Sequence, residues 1–119
     1  MIEEGRPIFL QIAEQLADDI ISGAYPEESQ VPSTNEFAAF HRINPATAAK
    51  GVALLVDEGV LYKKRGIGMF VAAGAREKLL AARTETFDHD YVRPLTREAR
   101  ALGLAADDVI TLIRKDMDR

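Results

Sequence analysis

The chain has 119 residues, a formal net charge of −4, 47% hydrophobic residues and no cysteine. Its length suits one domain plus an appendage, its apolar content is too high for a disordered chain, and without cysteine it can build neither a disulfide framework nor a thiolate zinc site. No apolar run approaches the roughly 18 residues that a bilayer span needs, and Met1-Ile2-Glu3-Glu4 lacks the character of a signal peptide, so a cytoplasmic protein without a membrane partner is expected.

Pro7 opens the first periodic segment, since proline is favoured in a first helical turn where its missing N–H is not needed. Ile8, Phe9, Ile12, Leu16 and Ile20 then recur at helical steps, and Gly23 stands where a left-handed residue would end the helix. This predicts a first helix over about 7–22. Residues 24–32, with Pro26 and Pro32, are expected to be loop. Ser33-Thr34-Asn35-Glu36 matches a capping box. It predicts a second helix over about 34–41, with Phe37, Ala38 and also Phe40 turned inward. Asn44-Pro45 is a further start signal, with asparagine at the cap and proline at the first position. The third helix is expected to run to about Glu58, with Val52, Leu55 and Val56 on one side and Gly59 closing it.

Residues 60–64 and 69–71 read as two strands joined by Arg65-Gly66-Ile67-Gly68, a β-hairpin with a basic, glycine-containing tip. Beyond Ala73, the residues Leu80, Phe87, Tyr91, Leu95, Ala99 and Leu102 form one apolar helical stripe. Pro94 lies within it and should kink or split the helix, because the Asp90 carbonyl loses its partner. A last amphipathic helix is expected over about 106–117, using Val109, Ile110, Ile113 and Met117.

Three helices followed by a hairpin are the parts of a winged helix-turn-helix. The predicted fold class is mostly α with a small β-hairpin: a winged domain over 1–74 and a helical extension over 75–119. The second helix of a helix-turn-helix enters the major groove of duplex DNA by its N-terminal residues. Here the leading turn is Asn44, Pro45, Ala46 and Thr47, followed by Lys50. Small side chains permit close approach, and Thr47 and Lys50 can bond to phosphates or base edges. The N terminus of that helix itself favours a phosphate, and Ser33, Thr34 and Asn35, which begin the preceding helix, are further DNA-contact candidates, Ser33 and Asn35 at phosphates. At the hairpin tip Lys64, Arg65, Gly66 and Gly68 combine cations with glycines that let the backbone lie close to a sugar-phosphate strand, and an arginine so placed can enter a narrow minor groove. The acidic total conceals this distribution: residues 41–74 carry five bases against two acids, a net +3.

Pro7-Ile8-Phe9-Leu10-Gln11-Ile12, Val31-Pro32-Ser33, Glu36-Phe37-Ala38, Asn44-Pro45-Ala46-Thr47, Asp57-Glu58-Gly59-Val60-Leu61 and Arg65-Gly66-Ile67-Gly68-Met69-Phe70-Val71 together resemble the DNA-binding domain of the GntR family of bacterial repressors. The short segment after Gly74 resembles the YtrA-like branch, in which two helices after the winged domain serve dimerisation. The resemblance implies a sequence-specific transcription regulator, a repressor, acting as a homodimer on a palindromic operator. Leu80, Phe87, Tyr91, Leu95, Leu102, Val109 and Ile113 would form the dimer contact. It also implies three departures: Asn35 stands where the family usually has a phosphate-contacting arginine, Ala49 where a basic residue is frequent, and Glu28 where a glycine is usual.

The partners expected are double-stranded DNA and a second copy, and a small-molecule effector could bind in a dimer cleft. No cofactor is called for. Asp88-His89-Asp90 does not suggest a metal site, because three adjacent helical residues point in different directions. No Ser-His-Asp set is suggested, and Gly66-Ile67-Gly68 lacks the third glycine of a dinucleotide fingerprint, so an enzyme is not expected. The rival reading is a winged helix used for protein contact without DNA. Large exposed apolar side chains at the third helix or the hairpin would mark it, and Ile67 and Met69 are the candidates there.

Overall fold

The computed structural model describes residues 5–119, and the expectation for Met1–Glu4 lies outside them. The elements in chain order are α1 (Ile8–Ser22), β1 (Gln30–Val31), α2 (Thr34–His41), α3 (Pro45–Asp57), β2 (Leu61–Lys64), β3 (Gly68–Val71), α4 (Ala75–Phe87), a π-helical turn (Asp88–Val92), α5 (Arg93–Ala101) and α6 (Ala106–Met117). The chain divides into two compact units, the first ending at Ala81 and the second spanning Ala82–Arg119. No described helix is long and apolar enough to cross a membrane.

In the first unit, Ile12, Leu16 and Ile20 of α1 share one buried cluster with Val52 and Leu55 of α3, Phe37 and Ala38 of α2, Val60, Leu61 and Val71 around the hairpin, and Leu79 of α4. Each large aliphatic side chain buried this way contributes about 1.5–3 kcal/mol. Helix propensities differ by under about 1 kcal/mol per residue, so packing governs. That matters most for α2, whose eight residues are too few to hold a helix alone. Gly51 sits where α3 meets α1: a Cβ there would lie 2.7 Å from the Phe9 carbonyl oxygen and 3.0 Å from Ile12 Cγ2. The missing side chain is what lets the two helices approach this closely.

Two inward expectations are corrected. Phe40 is 83% exposed, and α2 buries only Phe37 and Ala38, so its inward face ends with that pair. Val56 lies at the exposed edge of α3, next to the fully buried Leu55. The expected loop over 24–32 also holds a strand. β1 pairs antiparallel with β3, giving a three-stranded sheet in the order β1-β3-β2. The register places Gln30 opposite Phe70, Tyr62 opposite Phe70 and Lys64 opposite Gly68. Just before β1, the Glu28 N–H donates to the Val71 carbonyl at 2.8 Å and the Val71 N–H donates to the Ser29 carbonyl at 3.0 Å. Glu28 takes this position at φ +65°, in the left-handed region, which costs an L-residue about 1–2 kcal/mol. Its carboxylate accepts a hydrogen bond from the Tyr62 hydroxyl at 2.6 Å.

The start of α4 is fastened within the first unit, where Ala75 is buried and Arg76 Nε donates to the Ile21 carbonyl at 2.8 Å. In the second unit the helical run is split just ahead of Pro94, by a π-helical turn rather than a loop. The chain widens into the π-helical turn, the Arg93 N–H reaches back to the Asp88 carbonyl, and Pro94 falls in the first turn of α5, where a missing N–H costs nothing. Gly103 at φ +73° ends α5, and the Leu104 N–H returns to the Ala99 carbonyl at 2.9 Å. The Asp108 carboxylate accepts from the Ala105 N–H at 2.9 Å and starts α6.

Two substitutions test this packing. Gly51→Ala should lower stability by about 1–2 kcal/mol in urea denaturation: the clash with backbone outweighs the gain of about 1 kcal/mol in helix propensity. Glu28→Gly should be about 1 kcal/mol more stable than Glu28→Ala, since both lose the Tyr62 bond and only glycine escapes the left-handed strain. Equal stabilities would argue against a strained position 28.

Candidate nucleic-acid interface

The capping box at the start of α2 is complete. Ser33 Oγ accepts from the Glu36 N–H at 3.1 Å, and the Glu36 carboxylate accepts from the Ser33 N–H at 3.1 Å. The backbone bond from Ser33 holds the Glu36 carboxyl below its ordinary range, with the Ser33 hydroxyl adding to it. The Ser33 hydroxyl is thus engaged with Glu36 both as acceptor and as donor. Thr34 is half-buried and Asn35 is exposed. Arg42 closes α2 in the left-handed conformation at φ +55°, and the chain turns through Ile43, whose N–H donates to the Ala38 carbonyl at 3.0 Å. Asn44 then caps α3, its side-chain oxygen accepting from the Ala46 N–H at 2.8 Å. The oxygen of Asn44 thus already accepts one internal bond, and its amide N–H groups are available to a partner.

α3 buries Ala48, Gly51, Val52 and Leu55 and exposes Pro45, Ala46, Ala49, Lys50 and Ala53, with Thr47 half-buried. Lys50 does not project as an isolated cation. Its ammonium lies over the Phe9 ring of α1, 4.1 Å from the centroid. A cation over an aromatic face at an exposed site gains about 0.5–1 kcal/mol, so a phosphate must outbid that contact to draw Lys50 away.

The hairpin tip is a tight turn, with the Ile67 N–H donating to the Lys64 carbonyl at 2.9 Å and Gly66 at φ +77°. Glycine supplies that backbone conformation without steric cost. Tyr62 and Phe70 face each other across the strands with ring centroids 6.0 Å apart. The Lys64 ammonium lies 4.3 Å from the Phe70 centroid and 5.9 Å from that of Tyr62. Lys64 is therefore held along the hairpin, while Lys63 and Arg65 are exposed. The Glu28 carboxylate raises the Tyr62 hydroxyl pKa by accepting its hydrogen bond. Gln30 on β1 donates its amide to the Ile67 carbonyl at 3.1 Å, and a Cβ on Gly68 would collide with that amide.

The sequence-predicted residues thus fall into three places in the first unit: the N terminus of α2, the N-terminal half of α3, and the hairpin. β1 leads into α2 through Pro32 and Ser33 alone, so the sheet and the α2 cap are adjoining pieces of chain. Gln30 and Phe9 are contributors that sequence reasoning missed, and the sequence marks Glu28 only as standing where a glycine is usual. A two-residue strand shows no alternation, and nothing in the apolar period of α1 marks Phe9 as a cation's resting place. In the second unit, Phe87, Tyr91, Leu95, Leu102 and Ile113 are exposed and Val109 is half-buried. Leu80 belongs to the first unit, half-buried beside the buried Leu79. Among the described residues no three His, Cys, Asp or Glu side chains stand close enough to hold a metal ion.

A family model for bacterial regulatory proteins of the gntR family matches residues 9–71. The transcriptional repressor NagR of Bacillus subtilis is 32% identical over 96 residues, which are 81% of this chain and 40% of NagR. The chain thus spans two fifths of that protein's length, and about 30% of the fructoselysine-operon repressor of Escherichia coli. It covers more of the repressor YtrA of B. subtilis, 25% identical over 109 residues, 92% of this chain and 83% of YtrA. A solved GntR-family structure from Bacteroides thetaiotaomicron superposes with a TM-score of 0.78 at 35% identity, covering 94% of this chain and 97% of that one. The DNA-binding domain of AraR, solved in complex with an operator, superposes with a TM-score of 0.56 at 29% identity over 60% of this chain and 87% of that one. The winged helix-turn-helix, its cap, turn and hairpin, and these likenesses agree: the chain belongs to the gntR family of bacterial regulatory proteins.

Proposed function

We propose that this chain is a DNA-binding transcription regulator, a repressor, that works as a homodimer on an inverted-repeat operator in the cytoplasm and carries out no catalysis of its own. The observation that carries the reading is the doubly capped α2–turn–α3 unit beside a basic hairpin, in a frame shared with a domain solved on its operator. α3 enters the major groove through Asn44, Pro45, Ala46 and Thr47, whose small side chains allow close approach. Ser33, Thr34 and Asn35 meet phosphate at the α2 N terminus, where unpaired N–H groups and the helix dipole favour an anion. Lys50 serves a phosphate once drawn off Phe9. Lys64, Arg65, Gly66 and Gly68 follow the strand into the minor groove.

The homodimer rests on a burial argument. Of the residues from Ala82 to Arg119, Ala99 is the one that is buried. Ordering each residue costs about 1–2 kcal/mol of backbone entropy, and one buried alanine does not offset that. Phe87, Tyr91, Leu95, Leu102, Ile110, Leu112, Ile113 and Met117 are exposed in the single chain. Contiguous apolar surface of that kind marks an interaction site. α5 and α6 enclose a groove of about 620 Å³ lined by Leu95, Ala99, Leu102, Leu104, Val109 and Ile113, into which a second copy's side chains would seat. A two-fold pair would present two α3 helices to major grooves about 34 Å apart. The reading leaves room for a small-molecule effector in the dimer cleft and requires none.

Selection from a random duplex library by the purified chain at about physiological salt should recover an inverted repeat with half-sites about one helical turn apart. Recovery of nothing above background would favour the protein-contact reading. Arg65→Ala should weaken binding and reduce the slope of log affinity against log salt by about one, and an unchanged slope would remove Arg65 from the phosphate contacts. Changing Phe87 and Tyr91 together to serine should convert dimers to monomers in light scattering, and persisting dimers would place the interface elsewhere.

A further inference from the structure

The hairpin is not a free arm. A two-stranded hairpin by itself is marginally stable in water, and the tip of this one lies beyond the last register pair, Lys64 with Gly68. Its carbonyl groups would ordinarily face solvent. One of them, on Ile67, accepts instead from the side-chain amide of Gln30, 37 residues earlier in the chain. Gln30 is on β1, paired to Phe70 of β3, and Gly68 leaves open the space through which its amide passes. On the other side, Glu28 draws in the Tyr62 hydroxyl and its N–H grips the Val71 carbonyl. Segment 28–31 therefore fastens the hairpin at its base, at its middle and at its tip, and two residues later the same segment becomes the cap of α2.

We propose that Gln30 is a positioning residue for DNA binding: its amide, bonded to the Ile67 carbonyl, holds the turn that carries Arg65 at a fixed place relative to the α2 cap. The inference rests on the DNA-binding reading above. Gln30 acts through the backbone of the tip, and Arg65 makes the contact. With the amide bond intact, the turn is presented in one conformation and Arg65 reaches the minor groove without an ordering cost. Without it, the tip samples several positions and the contribution of Arg65 falls.

The test uses the full chain, its selected operator duplex, and a double-mutant cycle read by fluorescence anisotropy across a range of salt. Gln30→Met keeps the unbranched length and removes only the N–H donors. It should lower affinity about fivefold and flatten the salt slope as Arg65→Ala does. Arg65→Ala should cost about tenfold in the wild-type background but less than about twofold beside Gln30→Met, because the two changes remove one interaction. Gln30 is exposed, so the thermal midpoint of Gln30→Met should match that of the wild type, and Gln30→Ala should repeat the pattern. Additive losses, or wild-type affinity in Gln30→Met, would overturn the proposal and leave the DNA-binding reading standing. A wild-type chain that binds no duplex even at about 50 mM salt, where phosphate attraction is strong, would overturn both.

Discussion

The close approach of α1 and α3 at Gly51 sets the geometry on which the winged domain depends. With no side chain at that position, Ile12 and the Phe9 carbonyl lie directly against α3, and the helix is seated deeply enough for Ala48 to be wholly buried. The side of α3 bearing Ala46, Ala49 and Ala53 is consequently the side left outward. The same contact brings Phe9 under Lys50. One helix pair therefore decides both which surface α3 offers and how its one cation is held. A bulkier residue at 51 would act on the outer face as well as on the core.

The caps explain why α2 and α3 were legible in the sequence almost to the residue. Ser33 with Glu36, and Asn44 with Pro45, are local signals: the atoms that satisfy each other lie within three residues. The hairpin was legible for a related reason, since Gly66 and Gly68 advertise a turn. What escaped was long-range. Gln30–Val31 is a strand only because β3 is there to pair with it, and Gln30 finds its partner at Ile67. Phe40 misled because hydrophobicity states a preference for burial without saying whether the helix has a third inward position. Pro94 was correctly seen as an obstacle. Its resolution through a wider turn depends on where the flanking helices already lie. In the candidate site the sequence named positions but not their state: Lys50, Lys64, Ser33 and Asn44 each make an internal contact that a list of polar positions does not reveal.

Those internal contacts give the interface a graded character. Asn44 spends an acceptor on its own helix and keeps its amide donors, while the Ser33 hydroxyl is tied to Glu36. Lys50 and Lys64 lie on aromatic rings at a cost of release that is small beside a phosphate contact, so they are positioned in advance rather than withdrawn. Arg65 and Asn35 are exposed as well. With a net charge of −4 over the chain, a surface of this kind relies on placement more than on bulk attraction. On the proposed DNA-binding reading, bracing of the hairpin by segment 28–31, left-handed Glu28 included, is what would keep that placement fixed.

The π-helical turn has its own consequence for the helical tail. Phe87, Tyr91, Leu95 and Ala99 follow one another at intervals of four. In an uninterrupted α-helix each such interval overshoots a full turn by about 40°, so four residues so spaced would wind well around the cylinder. A turn that takes in an additional residue rotates the chain less per residue and brings the phase back. Asp88–Val92 therefore works as a phase corrector, the equivalent of a one-residue insertion retained because it realigns an apolar seam. Straightening those five residues into a regular α-helix without shortening the chain would misalign everything after them by about 100°. Loss of the seam would then come from a change of register with every apolar side chain intact.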